Sequence, residues 1–361
     1  MDLKDKIKAI EEEITNTAYN KATQHHIGKL KAKLARLRDE AEKRASGKAG
    51  GVGFSVKRSG HATVALVGFP SVGKSTLLNR LTNASSEVAS YDFTTLDVIP
   101  GMMEYKGVKV QILDLPGIIP GASRGKGRGR EVLSIVRNAD LVLIISDIRK
   151  PRDYDSMKKE LYGVGIRLDE RPPKAYVRKK SVGGVTLTAT VPLKKIDLET
   201  IRAILNTYGV HNADVVLHED ITEDRFIDVI AGNRVYTPSL LVLNKADLVK
   251  DRGGIDVGRE YLAISADKDA SFDGLKERMF KKLDMIRIYL KPQGGEPDLE
   301  EPLIMRKGSN VGDLCDAIHK DVRAKFKYAI ILGDSVKHQS QRKGLSHILK
   351  DKDIVTIIKE K

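Results

Sequence analysis

The chain has 361 residues and a mass of 39.9 kDa, enough for two or three domains, and its 63 Lys and Arg against 49 Asp and Glu leave a net charge of +14. With 41% hydrophobic and 31% charged residues it can build packed cores, which excludes wholesale disorder; the single Cys315 excludes an internal disulfide and a cysteine-based zinc site and fits a reducing, cytoplasmic setting. No apolar run approaches bilayer thickness and the charged N-terminus lacks a signal-peptide core, so neither membrane spanning nor secretion by the usual route is expected, while the positive excess points to a polyanion, nucleic acid first, with solvated lysines as the competing reading.

Leu3, Ile7, Ile10 and Ile14, then Ile27, Leu30, Leu34 and Leu37, each form one narrow helical stripe. They predict a helical hairpin within residues 1–50, turning in the polar stretch Thr15–Gln24. His25-His26 lacks two further suitably spaced ligands for a metal. A glycine-rich linker, Ser46 to Gly53, follows.

From His61 the pattern becomes buried strand, turn, helix. The strand Thr63–Val67 runs into Gly68-Phe69-Pro70-Ser71-Val72-Gly73-Lys74-Ser75-Thr76 and a helix beginning Leu77-Leu78. This is GxxxxGKS in the strand–loop–helix setting that lets backbone N–H groups close around phosphate oxygens. Lys74 can reach the β- and γ-phosphates, and the Ser75 hydroxyl can hold Mg²⁺. In Tyr91–Leu96 a hydroxyl is needed to complete the Mg²⁺ shell; Thr95 is the first choice and Thr94 the second. At the end of strand Val108–Leu113 stands Asp114-Leu115-Pro116-Gly117. The Asp114 carboxylate can contact Mg²⁺ through water, and the Gly117 N–H can meet the γ-phosphate. Arg124 to Arg130 alternates cations with glycines, which disfavours helix and suggests a switch-like loop.

After the strand Leu141–Ile145, residues 166–236 carry strand and helix signals of their own and read as an inserted α+β domain. The strand Leu240–Leu243 then leads into Asn244-Lys245-Ala246-Asp247. Asp247 can accept from both N1–H and the 2-amino group of guanine, donors that adenine lacks, and such polar pairing discriminates by about 10⁴–10⁵. Asn244 and Lys245 would brace the loop and cover the base. Ser265-Ala266, after strand Tyr261–Ile264, would give the Ala266 N–H to guanine O6. The guanine-nucleotide domain is thus expected at 60–165 and 237–290, α/β with a mainly parallel sheet. A tail, 291–361, has strands Leu303–Arg306, Tyr328–Leu332 and Ile354–Ile358 around one helix, Val311–Phe326, with Cys315 as a packing residue.

These motifs in this order resemble the Obg-type, translation-factor-class GTPases. GFPSVGKSTLLNRL, DFTTL, DLPGIIPGASRGKGRGRE and NRVYTPSLLVLNKAD are similar in detail to the developmentally regulated GTP-binding proteins of archaea and eukaryotes. The resemblance spans essentially the whole chain. It implies a P-loop GTPase domain, a ribosomal-protein-type inserted domain and a C-terminal ubiquitin-like β-grasp module of the TGS type. It also implies action on ribosomes together with a regulatory protein partner. Related potassium-activated GTPases often carry Asn where this chain has Ser71, a shorter ligand, so K⁺ is implied by the family and not secured by this residue.

The expected reaction is hydrolysis of GTP to GDP and phosphate, with Lys74, Thr95 and Gly117 as the catalytic set. Ile118 stands where many small GTPases place a water-positioning Gln, so slow intrinsic turnover is expected. The alternative is an RNA- or ribosome-binding scaffold whose nucleotide site only locks a conformation. Net charges of +6 on residues 1–60 and +5 on residues 301–361 make the two ends the expected rRNA-facing surfaces, with Arg178-Lys179-Lys180 as a further candidate. No Trp and seven Phe suggest no aromatic platform, favouring backbone and shape contacts with RNA.

Overall fold

The computed structural model of the chain describes residues 3–46, 58–82, 99–115, 135–250 and 255–360. They divide into two units: residues 3–46, 135–138 and 152–238 in one, the remainder in the other.

The first unit opens with α1 (Leu3–Asn16) and α2 (Gln24–Ser46). Ile7, Ile10, Leu30 and Leu34 form their shared seam, as the stripe spacing requires. His26 Nε2 meets Glu13 at 3.0 Å across the hairpin. In the second unit, β1 (Ala62–Val67) leads through the glycine loop into α3 (Lys74–Leu81); β2 (Ile99–Tyr105) and β3 (Val108–Asp114) follow, then β4 (Leu141–Asp147).

Back in the first unit, α4 (Asp153–Gly163) packs on β5 (Ile166–Leu168), which pairs in parallel with β9 (Val235–Thr237). Between them lie β6 (Ala175–Lys179), β7 (Val185–Ala189), α5 (Leu198–Thr207), β8 (Ala213–Leu217) and α6 (Glu223–Ala231). The sheet order is β6-β8-β7, and Ala213, Val215 and Leu217 face a core shared with Ile201, Ile204, Leu205 and Phe226 of the two helices. Asp197 and Thr222 cap α5 and α6 by accepting from backbone N–H groups three residues on.

Helix α2 enters that same core through Ala32, which is fully buried. Gly28 sits so close to α5 that a Cβ would fall 2.8 Å from Thr200 Cγ2. Deeper in, Arg167 of β5 pairs with Asp228 of α6 through Nε–Oδ2 at 2.7 Å and Nη2–Oδ1 at 2.6 Å. Arg234 reaches the same Asp228 at 3.1 Å and Asp39 of α2 at 2.9 Å. The Tyr162 ring lies 3.5 Å from the Arg167 guanidinium carbon.

The second unit continues with β10 (Ser239–Asn244), β11 (Leu262–Ala263) and α7 (Asp273–Leu283). Its six-stranded sheet has the order β11-β10-β4-β1-β3-β2, all parallel except the β2–β3 pair at the edge. Strands β1, β4 and β10 are buried along their whole length, which is why they read as unbroken apolar runs. Leu77, Leu78 and Leu81 of α3 and Leu275, Met279 and Leu283 of α7 pack into the core.

A second sheet in this unit has the order β13-β12-β16-β14-β15. It contains β12 (Met285–Leu290), β13 (Leu303–Arg306), β14 (Phe326–Leu332), β15 (Gln341–Lys343) and β16 (Ile354–Lys359). The sequence break at Lys291 therefore falls after the first strand of this sheet, not before it. The single helix expected at Val311–Phe326 is two, α8 (Val311–Ile318) and α9 (Lys320–Ala324). His319 between them is extended, at φ −171°, and its Nδ1 accepts from Asp321 N at 3.3 Å to start the second helix. Asn310 and Asp313 close a capping box on α8. Cys315 is fully buried beside Leu314 and Val311, and burial pushes its thiol up.

Asp228→Ala would strand Arg167 and Arg234, both almost wholly buried, without their shared carboxylate. The expected loss is about 3–5 kcal/mol in this unit. Hydrogen exchange during denaturant unfolding checks it: amides of α2, α5 and α6 should lose protection while those of β1, β4 and β10 keep it.

Candidate functional site

The phosphate loop leaves β1 at Val67 and returns into α3. Ser71 and Gly73 both take left-handed conformations, φ +63° and +91°. At Gly73 this is enforced twice, because a Cβ there would collide with the Asn244 side-chain amide. No side chain caps the start of α3, so the loop N–H groups and the helix dipole face the same concavity. Lys74 is buried, and its Nζ donates to the carbonyls of Gly68 and Phe69, each at 3.2 Å. Burial pulls its pKa down, opposed by the charge of Asp114. Ser75 Oγ donates to Asp114 Oδ2 at 2.5 Å. Asp114 Oδ1 is buried and has no hydrogen-bond partner among the described residues. A buried carboxylate oxygen left over beside a hydroxyl is a hard oxygen donor pair, and it fits Mg²⁺.

The base-side loops come from the ends of β10 and β11. Asn244, 2% exposed, donates through Nδ2 to Val72 O at 2.8 Å and accepts at Oδ1 from Ala266 N at 2.9 Å. The Ala266 amide, expected from the sequence to meet a base oxygen, supplies in this structure the donor that the buried Asn244 carbonyl needs. Lys245, at φ +64°, sends Nζ to Ser71 O at 2.9 Å. Asp247 accepts from Ser265 Oγ at 2.7 Å and pairs with Lys268 at 3.0 Å. The serine hydroxyl and then the lysine hold its carboxyl below the usual range, keeping it an acceptor at neutral pH.

Together these loops line a cleft of about 470 Å³ at the carboxyl ends of the parallel strands. Ser71, Gly73, Lys74, Ser75 and Thr76 line one side; Asn244, Lys245, Asp247, Ser265 and Ala266 line the other. The remaining predicted residues are placed differently. Val72 and Leu115 are buried, Phe69 packs against the core and Pro70 is exposed, and none of the four lines the cleft. Thr94, Thr95, Pro116, Gly117, Ile118 and the Arg124–Arg130 segment lie outside the described residues.

Four contributors escaped the sequence reading. Lys268, Leu248 and Asp267 sit at the base side, the last two lining the cleft. Asp147 ends β4 directly beside Asn244 of β10 and takes Lys245 Nζ at 3.1 Å. The sequence shows only a carboxylate at the end of a strand; that this strand neighbours the Asn-Lys-x-Asp strand appears only in the fold. Arg149 and then Lys245 hold the Asp147 carboxyl well below the usual range. A carboxyl depressed in the folded state stabilises the fold above its ordinary value near ~4, and that contribution fades as pH falls toward the folded value. Asp147→Asn should therefore cost about 1 kcal/mol at pH 7 and progressively less below about pH 4. Urea midpoints of both proteins across that range check it; a gap that stays constant with pH would refute the ionic role.

Comparison with known proteins sets these loops in a family. Residues 63–180 match the family described as 50S ribosome-binding GTPase, residues 182–285 the C-terminal region of MMR_HSR1 domain, and residues 286–359 the TGS domain. A GTP-binding protein of Methanocaldococcus jannaschii is 56% identical to this chain, over 99% of this chain and 93% of that protein. Developmentally-regulated G-protein 3 of Arabidopsis thaliana is 48% identical over 98% of each. The developmentally-regulated GTP-binding protein 1 homolog of Dictyostelium discoideum is 45% identical over 100% of each. The chain, a GTP-binding protein with a P-loop GTPase domain and a C-terminal TGS domain, belongs to the developmentally regulated GTP-binding protein family.

Proposed function

We propose that this protein hydrolyses GTP to GDP and phosphate and serves as a molecular switch on the translation machinery, meeting ribosomal RNA and a regulatory protein partner. The observation that carries the reading is one cleft that joins the phosphate loop, the Ser75–Asp114 oxygen pair and the Asp247 carboxylate. Lys74 brings a buried ammonium to the phosphate side, where charge on transferring oxygens is stabilised most strongly away from water. The loop N–H groups fix the phosphates, and Asp247 orients the base. Ser75 and Asp114, with Thr95 as the third predicted ligand, would hold Mg²⁺, which when bound supplies further positive charge at the phosphates. The ribosomal part of the reading is supported by the positive net charge and by the description of the family matched by residues 63–180. K⁺ enters the proposal as the activator that the family implies.

Asp247→Asn should weaken GTP binding at least about 100-fold and favour xanthosine triphosphate, whose C2 oxygen accepts from an amide. Nucleotide titration of both proteins checks this, and equal ATP and GTP affinity in the parent would sink the guanine assignment.

With Ile118 in the chain, single-turnover hydrolysis by the isolated protein should be roughly 10⁻⁴–10⁻² s⁻¹. It should rise when potassium replaces sodium and vanish in Lys74→Ala. No turnover under any of these conditions, with GTP still bound, would favour the scaffold reading.

A further inference from the structure

We infer that the outward face of the β6-β8-β7 sheet is a binding platform for an unpaired stretch of RNA. The inference rests on the RNA-directed part of the function proposed above and not on hydrolysis.

Side chains alternate across these strands. One set packs on α5 and α6; the other points outward. Register lays the outward set in rows: Tyr176 lies opposite Val216, which lies opposite Thr188, and Arg178 lies opposite Asp214, which lies opposite Thr186. At one end His218 follows β8, its Nδ1 3.3 Å from Thr190 Oγ1. Tyr176, the second residue of its strand, is 67% exposed, although an aromatic ring has large apolar area to hide. Its described ring neighbour is His218, met edge to face at a centroid distance of 5.9 Å.

Charge singles out the same surface. Residues 171–195, which contain β6, β7 and the turn joining them, hold seven Lys and Arg and no Asp or Glu. The carboxylate on the face, Asp214, comes from β8 and takes Lys180 at 2.6 Å and Arg178 at 2.9 Å. It pairs with both cations, and the Arg178 side chain stays 82% exposed while that of Lys180 is 27% exposed.

The sequence suggested no aromatic platform, yet an exposed tyrosine ring, a planar guanidinium, an ammonium and threonine hydroxyls on one sheet face match what an unstacked base, its phosphates and a 2′-hydroxyl need. A protein partner would call for an apolar centre depleted of lysine, and this face has Val216 as its aliphatic residue. A regular duplex offers no free base face to Tyr176.

The test uses the full chain and a short unstructured oligoribonucleotide, labelled for anisotropy, at rising KCl. Tyr176→Ala should weaken binding by about 5- to 100-fold, and Tyr176→Phe should retain it, because stacking needs the ring and not the hydroxyl. Arg178→Ala with Lys180→Ala should lower the slope of log affinity against log salt by about 1 to 1.5. GTP affinity should stay at the parent value in all of them, since none of these residues lines the nucleotide cleft. Should Tyr176→Ala fail to fold, the Arg178/Lys180 slope and ultraviolet crosslinking of the oligomer to Tyr176 carry the test. RNA binding unchanged in every variant overturns this surface alone. No RNA binding by the parent chain overturns both this surface and the RNA-directed reading, and binding to anionic vesicles without binding to RNA does the same.

Discussion

The buried side-chain amide of Asn244 is the group on which the nucleotide site hangs. One end holds the phosphate loop by Val72 O, and the other holds the Ala266 amide of the β11 loop. Its own backbone carbonyl accepts from Ile148 N at 2.9 Å, just past β4. Three chain segments far apart in sequence are thereby set to one another through a single residue. An aspartate in its place would lose the donor to Val72, and a longer side chain would meet Gly73. The identity of Gly73 is dictated from the other side of the cleft as much as by the loop's own torsion angles. Because the amide is buried, each of its bonds is difficult to replace with water, and leaving either partner unpaired costs about 1–3 kcal/mol.

Strands β1, β3, β4 and β10 were legible in the sequence because burial on both faces leaves few ways to write them. The phosphate and guanine loops were legible because glycine and carboxylate spacing there answers to the ligand. Strand β6 was not, because one face is solvated and cationic, so Ala175 and Val177 are its only apolar positions apart from Tyr176. Strands β5 and β9 are three residues each and, among the described residues, pair only with one another. Asp147 was invisible for another reason: its neighbour Asn244 lies 97 positions away, and the adjacency exists only once β4 and β10 are side by side. The bond from the Ala266 amide to a buried oxygen of the same site was not legible, because no local pattern states that demand.

Charge shows most plainly how segment totals mislead. The hairpin carries many lysines, yet Lys31 is taken up by Asp224 and Glu223, and Arg38 by Glu11. Part of its positive excess therefore serves the unit's own packing. Residues 171–195 hold seven cations, of which Arg178 and Lys180 share one carboxylate. Available charge is a property of surfaces, and it appears only after internal pairs have been subtracted.

The Asp39–Arg234–Asp228–Arg167 chain and the Ile/Leu seam of the hairpin hold α2 by different physics, yet both respond to temperature in the same direction. Apolar attraction weakens on cooling, and the hydration that buried ions forgo becomes more valuable in cold water. Both attractive contributions to the grip on α2 therefore fade together on cooling.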